Sequence, residues 1–270
     1  MAEPTHKAER RVENGRLVYY LRPADIPFWE QHWQTHFSPD VYRWAEKGAL
    51  GTLEEPLARW LPKKGRILEA GCGLGCIVLA LRVRGYDAEG VEWARETVEV
   101  VRSARLDLPI RVGDVRNLDV PDGHYAGYVS LGVVEHQRDG AEPILREAWR
   151  VLAPGGIALV SVPWFNPLRR LKARLGFYRG NAEDLDFYQF ALREKDLTGI
   201  LASAGFQIVD VTAYGAVKGL RDEVPLVKWM LGLQYVGPRL DECIRVSLRR
   251  FPRLAQRVAH MLLVVARKPA

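Results

Sequence analysis

Nine residues, Glu69-Ala70-Gly71-Cys72-Gly73-Leu74-Gly75-Cys76-Ile77, constrain this chain more than any other segment. The apolar run Arg66-Ile67-Leu68 before them reads as a strand, three glycines alternate through a turn, and the stretch Ile77 to Val83 reads as a helix. Glycine tolerates unusual dihedrals and lets the backbone approach a ligand closely. The segment therefore predicts a strand-turn-helix unit with something bound at its turn. A dinucleotide fingerprint separates its second and third glycines by two residues; here only Leu74 separates them.

The same alternation continues downstream. The spacing predicts strands at 66–69, 88–91, 109–112, 125–131, 157–162, 207–214 and 261–266, with helices at 76–84, 94–105, 139–152 and 194–204 between them. Strands separated by helices, without tight hairpins, predict an α/β fold: a doubly wound, mostly parallel seven-stranded sheet with ligands beyond the carboxyl ends of its strands. Residues 1–61 form a separate N-terminal unit in this reading. They start with a frayed segment that holds a short strand near Leu17 to Leu21. An aromatic-rich helical cap follows, carrying Phe28, Trp29, Trp33, Phe37, Tyr42, Trp44 and Trp60. Pro62-Lys63-Lys64-Gly65 punctuates before the main domain, 62–270.

Charge and cysteine usage narrow the function classes. The formal charge is +6, yet the excess is local. Residues 164–182 hold Arg169, Arg170, Lys172, Arg174 and Arg179 with no acid, and 215–257 holds nine Lys or Arg against Asp222, Glu223, Asp241 and Glu242. Basic groups confined to two segments argue for discrete insertions, at about 164–193 and 215–258, rather than a nucleic-acid face. Three cysteines cannot all pair, and a bridge between Cys72 and Cys76 would block the turn, so a reducing cytoplasm is expected. No ligand set for a metal accompanies them. No apolar run is long enough to span a bilayer, and 1–14 shows no secretory signal.

Two acids follow the glycine turn at informative distances. Glu92 stands 21 residues after Gly71 at a strand end, where a carboxylate can accept both hydroxyls of a ribose. Asp114 closes the next strand in Val112-Gly113-Asp114-Val115. Together with Tyr128-Val129-Ser130-Leu131-Gly132-Val133-Val134-Glu135-His136 and Arg150-Val151-Leu152-Ala153-Pro154-Gly155-Gly156, this order resembles class I S-adenosylmethionine-dependent methyltransferases. Within that class it is similar to the branch that includes ubiquinone and menaquinone biosynthesis enzymes. The resemblance covers about 66–214 and implies S-adenosyl-L-methionine as cofactor. It places Glu69, Gly71, Cys72, Gly73 and Gly75 at the methionine part, Glu92 at the ribose, Trp93 against the ribose or adenine, Asp114 and Val115 at adenine, and Leu131 and Val133 beneath the cofactor. Some 45 residues between the last two strands depart from the family's usual short connection.

His136 is the candidate catalytic residue. Methyl transfer from a sulfonium is an in-line displacement in which alignment supplies much of the rate, and a base matters when the acceptor is a poor nucleophile such as a hydroxyl. His136 is titratable near neutrality, either as that base or as a support of the turn; Glu135 is the weaker candidate. No Asp/Asn-Pro-Pro-aromatic cluster follows the fourth strand, which argues against nucleic-acid base methylation. A small-molecule or lipid-linked acceptor is expected, O-methylation being slightly favoured over N or C, with Trp164, Phe165 and Tyr188 at the acceptor. The alternative class is a cofactor-binding or scaffolding protein without catalysis, for which the large second insert argues. That insert's apolar stretch, Val224 to Val236, and the arginines after it leave three readings: peripheral contact with the inner face of a membrane, a lid, or a contact between two copies of the chain.

Overall fold

Side-chain alternation along the central strands decides which of two layers each residue enters. The computed structural model describes residues 8–105, 107–232 and 237–270. The chain begins with a hairpin, β1 (Glu9–Glu13) and β2 (Arg16–Leu21). Its Asn14-Gly15 turn has φ of 49° and 75°, the conformation that makes Asn-Gly a favoured two-residue hairpin turn. The segment expected to fray is therefore ordered from residue 8 onward. Helix α1 (Ile26–His36) starts at Asp25, whose carboxylate accepts the Phe28 amide at 3.0 Å, with Pro27 in the first turn. Short 3-10 turns lead to α2 (Glu54–Trp60).

The main domain then runs β3 (Arg66–Ala70), α3 (Cys76–Val83), β4 (Asp87–Glu92), α4 (Arg95–Ala104), β5 (Ile110–Val112), β6 (Tyr125–Leu131), α5 (Glu142–Val151) and β7 (Leu152–Pro163). The first insert contributes α6 (Pro167–Arg174) and β8 (Asp186–Ala191), before α7 (Glu194–Ser203) and β9 (Gln207–Tyr214). The second insert is helical: α8 (Ala216–Glu223), α9 (Pro225–Leu231), α10 (Gly237–Arg250) and α11 (Pro252–Val258). β10 (Met261–Arg267) ends the sheet. The end of the apolar stretch expected at Val224 to Val236 (Leu233, Gln234, Tyr235 and Val236) lies outside the described residues.

Seven strands form one sheet in the order β5-β4-β3-β6-β7-β10-β9, parallel except where β10 runs antiparallel to both neighbours. Ile67, Val129, Leu159, Leu263 and Val265 point into one layer, against α3, α4 and the segment holding Leu50, Leu53 and Leu57. Their chain neighbours Leu68, Tyr128, Ala158, Val160, Leu262 and Val264 point into the other, against α5 and α7. Helix α5 buries Ile144, Leu145, Ala148 and Val151, one stripe of a 3.6-residue period. Strand order reverses on either side of β3, which opens a crevice above the carboxyl ends of β3 and β6.

The first insert is not all helix. β8 pairs antiparallel with β2, so a three-stranded sheet β1-β2-β8 joins the N-terminal hairpin to the insert. A buried ion cluster fastens the second insert to the same unit. Glu223 accepts from Arg10 at 2.7 Å, Arg169 at 2.9 Å, Lys172 at 2.8 Å and the Tyr178 hydroxyl at 2.6 Å. Arg169 and Glu223 are both buried. Burial would raise the Glu223 carboxyl, but the donors from Lys172 and Tyr178 and the nearby guanidinium groups outweigh it and hold its pKa below the ordinary value.

Candidate functional site

The glycine turn folds as its spacing dictates. Gly71, Gly73 and Gly75 all have positive φ, at 76°, 51° and 73°. Gly71 and Cys72 donate their amides to the Val91 carbonyl, and the Tyr42 hydroxyl donates to the Leu74 carbonyl. Loop, β4 and cap are thereby tied together. A Cβ at Gly71 would lie against Val133, so the missing side chain is what keeps the turn next to the end of β6.

One cavity of about 540 Å³ opens above this turn, within the roughly 300–1,000 Å³ range of small-molecule sites. The expected residues Glu69, Gly71, Cys72, Glu92, Trp93, Asp114, Val115, Leu131, Val133 and His136 all line it. Gly73 and Gly75 do not. A Cβ on Gly73 would collide with the roofing Trp33 ring and one on Gly75 with Ile110, so these two let the loop pack closely against the cap and β5.

Both acids are buried and held by backbone. Glu69 Oε2 accepts the Val78 amide at 3.0 Å, while Oε1 has no hydrogen-bond partner among the described residues. Burial pushes its pKa up to about 8, with the Glu92 charge adding to the rise against the Val78 amide. Glu92 accepts three amides: Trp93 at 2.9 Å and Ala94 at 3.1 Å on Oε1, and Gly73 at 2.9 Å on Oε2. Burial still leaves its pKa raised. Asp114 is engaged differently. Arg116 grips its carboxylate through Nε at 3.0 Å and Nη2 at 2.7 Å, which lowers its pKa, and the same guanidinium lies 5.9 Å from the Trp93 ring. Arg116 also lines the cavity; an opposite charge two residues from Asp114 was the available sign of it. Cys72 is buried and its thiol pushed well up, which leaves it an unreactive wall.

The cap supplies the roof. Trp29, Trp33 and Trp44, which as sequence read as packing residues of the cap, line the cavity together with His36 and Val41. Their ring contacts run along α1 and reach His136. Trp29 stands edge-on to His136 at 5.0 Å, His32 is 4.9 Å from Trp33 and 4.2 Å from His36. His136 Nδ1 lies 2.8 Å from the Tyr188 carbonyl, which can only accept, so Nδ1 carries the proton and Nε2 keeps its lone pair. Burial lowers His136 to about 4 despite that hydrogen bond, and His32 adds to the fall; His32 itself is lowered to about 4 by burial and His36. His136 is therefore a neutral ring at physiological pH, and a weak base. Glu135, beside it, is fully buried with Oε2 unpartnered, and burial raises it to about 8.

Tyr188 belongs to this centre, with its ring 4.9 Å from His136 and 5.3 Å from Phe28. Trp164 and Phe165 do not. β7 pairs with β10 up to Met261 and Pro163, and the Trp164 amide donates to the His260 carbonyl. The chain after β7 runs past the start of β10 and pairs with Leu192, to whose carbonyl the Phe165 amide donates. Phe165 buries itself against Leu17, Tyr178 and Ala191, and both aromatics line a different recess.

Residues 42–211 match the family model described as a methyltransferase domain. The chain is 33% identical over 145 residues to a protein of Mycolicibacterium smegmatis named as a probable S-adenosylmethionine-dependent methyltransferase, covering 53% of this chain and 52% of that one. It is 30% identical over 226 residues to an S-adenosyl-L-methionine-dependent Diels-Alderase of Talaromyces variabilis, covering 70% and 76%. The chain spans about half the length of the mycobacterial relatives it matches. Among solved structures, the complex of the Haloferax volcanii Trm112 methyltransferase activator with its methyltransferase shares the fold at a TM-score of 0.60 and 17% identity, over 91% of this chain and 98% of that one. With the family match spanning most of the sheet and the strand order of the class I fold, this chain belongs to the S-adenosylmethionine-dependent methyltransferase family.

Proposed function

We propose that the chain transfers a methyl group from S-adenosylmethionine to a small-molecule or lipid-linked acceptor, with a hydroxyl acceptor favoured. The observation that carries this reading is the convergence of Glu69, Gly71, Glu92, Asp114, Leu131 and His136 on one cavity. The residues present suit the cofactor. The free Oε1 of Glu69 suits its ammonium, and the Glu92 carboxylate, already oriented by three amides, suits the ribose diol. Asp114, Val115 and Trp93 suit the adenine, with Arg116 holding Asp114 in place. When bound, the cofactor supplies the activated methyl. The chain's part is to align the acceptor under the aromatic roof and to exclude water. His136, neutral and fixed as its Nδ1–H form, offers Nε2 as a hydrogen-bond acceptor that orients a substrate hydroxyl; its low basicity favours this positioning role over general base.

The acceptor lies against His136, whose ring Tyr188 packs on from behind the cavity wall, in this reading. The lipid-linked option and a peripheral membrane contact draw support from the inserts. Among the described residues, the large hydrophobic side chains more than 60% exposed (Leu175, Phe177, Leu226, Trp229 and Phe251) all belong to them, beside the basic residues already described. Among the described residues no helix is long and apolar enough to cross a membrane.

A second reading, cofactor binding without methyl transfer, is favoured by the weak base at His136 and by the relative named for a cycloaddition. Calorimetry with S-adenosylmethionine and its demethylated product tests binding; no heat with either at millimolar concentration refutes both readings. Radiolabelled methyl transfer into a cell extract, split into aqueous and organic fractions, separates them. Label in a small molecule or lipid supports transfer, label in protein or RNA refutes the acceptor class, and binding without label supports the second reading.

A further inference from the structure

A recess of about 770 Å³ lies apart from the cofactor cavity and shares no lining residue with it. Its aromatic part is Trp164 and Phe165, at the exit of β7; its rim is built from the β1–β2 turn, α6 and the first turn of α7. Arg170 and Arg174 come from α6, and Lys195 from α7.

Cationic side chains outnumber acidic ones around this recess. Arg193, also on the rim, is gripped by Asp196 at 2.8 and 2.9 Å. Arg170, Arg174 and Lys195 form no ion pair or side-chain hydrogen bond among the described residues, and Glu194 is the single carboxylate on the rim. Three uncommitted cations against one acid leave a net charge of two positives around one hollow. Arg170 and Arg174 are also one helical turn apart, where like charges repel by about 0.2–0.5 kcal/mol. Folding gains nothing from that arrangement, whereas a doubly charged anion would. The Trp164 indole N–H makes no hydrogen bond among the described residues, which adds an uncharged donor beside the aromatic surface.

We propose that this recess binds a phosphoryl group carried on an apolar body. Arg170, Arg174 and Lys195 take the anion and Trp164 and Phe165 the apolar part. Arginine forks match phosphate oxygens in paired hydrogen bonds, and the aromatic surface discriminates against bare phosphate. The proposal stands on this recess alone and does not require the cofactor reading. The ligand is either a soluble phosphate ester or the phosphate head of a membrane lipid, and both have this chemistry.

The test uses the full chain and its Arg170→Gln/Arg174→Gln double variant, both exposed positions, with thermal unfolding as the check on folding. Phenyl phosphate, inorganic phosphate and phenol are titrated by calorimetry, and vesicles of phosphatidylcholine with or without phosphatidic acid by co-sedimentation. Phenyl phosphate should bind about tenfold tighter than inorganic phosphate, phenol should not bind measurably, and the double variant should lose about tenfold or more. S-adenosylhomocysteine should neither displace phenyl phosphate nor bind the variant differently. Binding of phenyl phosphate assigns a soluble ester; variant-sensitive binding to phosphatidic acid vesicles without phenyl phosphate binding assigns a lipid head. The proposal is overturned if the double variant keeps wild-type affinity for both probes, or if the folded wild type binds neither.

Discussion

Cofactor binding should expel a proton from Glu69. This carboxyl sits fully buried at the end of β3, and burial lifts it to about 8. At pH 7 such a group is therefore about 90% protonated. A cation placed within about 4–6 Å lowers a carboxyl pKa by about 1–3 units. The cofactor's ammonium would thus bring Glu69 to about 5–7 and leave it roughly half to fully ionised at pH 7. The expected release is about 0.4–0.9 proton per binding event. The free protein holds more protons than the complex, so affinity rises with pH through the window between the bound and free values. The same shift acts on folding. The folded pKa exceeds the unfolded 4.5, so Glu69's contribution to stability is complete below about 4.5 and is lost as pH climbs through about 8. Calorimetry at pH 7 in two buffers of different ionisation enthalpy measures the release. Glu69→Gln, which can still accept the Val78 amide, should abolish it. Buffer-independent heats in the wild type, or unchanged release in the variant, would refute the assignment of Glu69 to the ammonium.

Three further outcomes are expected. His136, lowered to about 4, stays neutral from pH 6 to 9, so the single-turnover rate should show no ionisation from it; His136→Asn, which can still donate to the Tyr188 carbonyl, should keep the rate within about tenfold. A loss of about 10²–10⁴-fold in that variant, with a vanished ionisation near neutrality, would restore the general base. Gly73→Ala should weaken cofactor binding, because a non-glycine residue at φ 51° costs about 1–2 kcal/mol and its Cβ strikes Trp33; adding Trp33→Ala should give a less than additive loss in a double-mutant cycle by calorimetry. Glu223→Gln should destabilise the chain by about 3–5 kcal/mol in urea unfolding, since Arg169 is left buried without its counter-charge.

The parts of this protein legible in the sequence are those whose partners are near in the chain. Glu92 ends β4, and Gly71 and Asp114 follow closely on the ends of β3 and β5, so correct strand boundaries place all three at the same edge. The seven core strands could be read for the same reason. What escaped depends on distant partners. β8 is a strand only because β2, some 170 residues earlier, pairs with it. Trp29 and Trp33 read as core aromatics, since nothing local distinguishes a ring that packs on a sheet from one that roofs a cavity. Trp164 and Phe165 were expected at the acceptor because they follow a central strand, but pairing with Leu192, just beyond β8, holds them at the neighbouring recess. Asp114's commitment to Arg116 is local, and a charge pattern two residues apart could have announced it.

The sheet formed by β1, β2 and β8 also sets an order of assembly. A ribosome delivers 9–21 first and 186–191 long afterwards, with β3 to β7 in between. The parallel strands can associate while the hairpin still waits for its third strand, and Leu17 and Val18, fully buried in the finished protein, have no β8 to lie against until then. The sequence of β1, Glu9-Arg10-Arg11-Val12-Glu13, carries four charges in five residues, which guards the outer edge of the waiting hairpin against pairing with other chains. Helix α1 follows directly on that hairpin. The roof can rest on α4 early, but its Phe28 gains the Tyr188 ring as a neighbour only once β8 has been made.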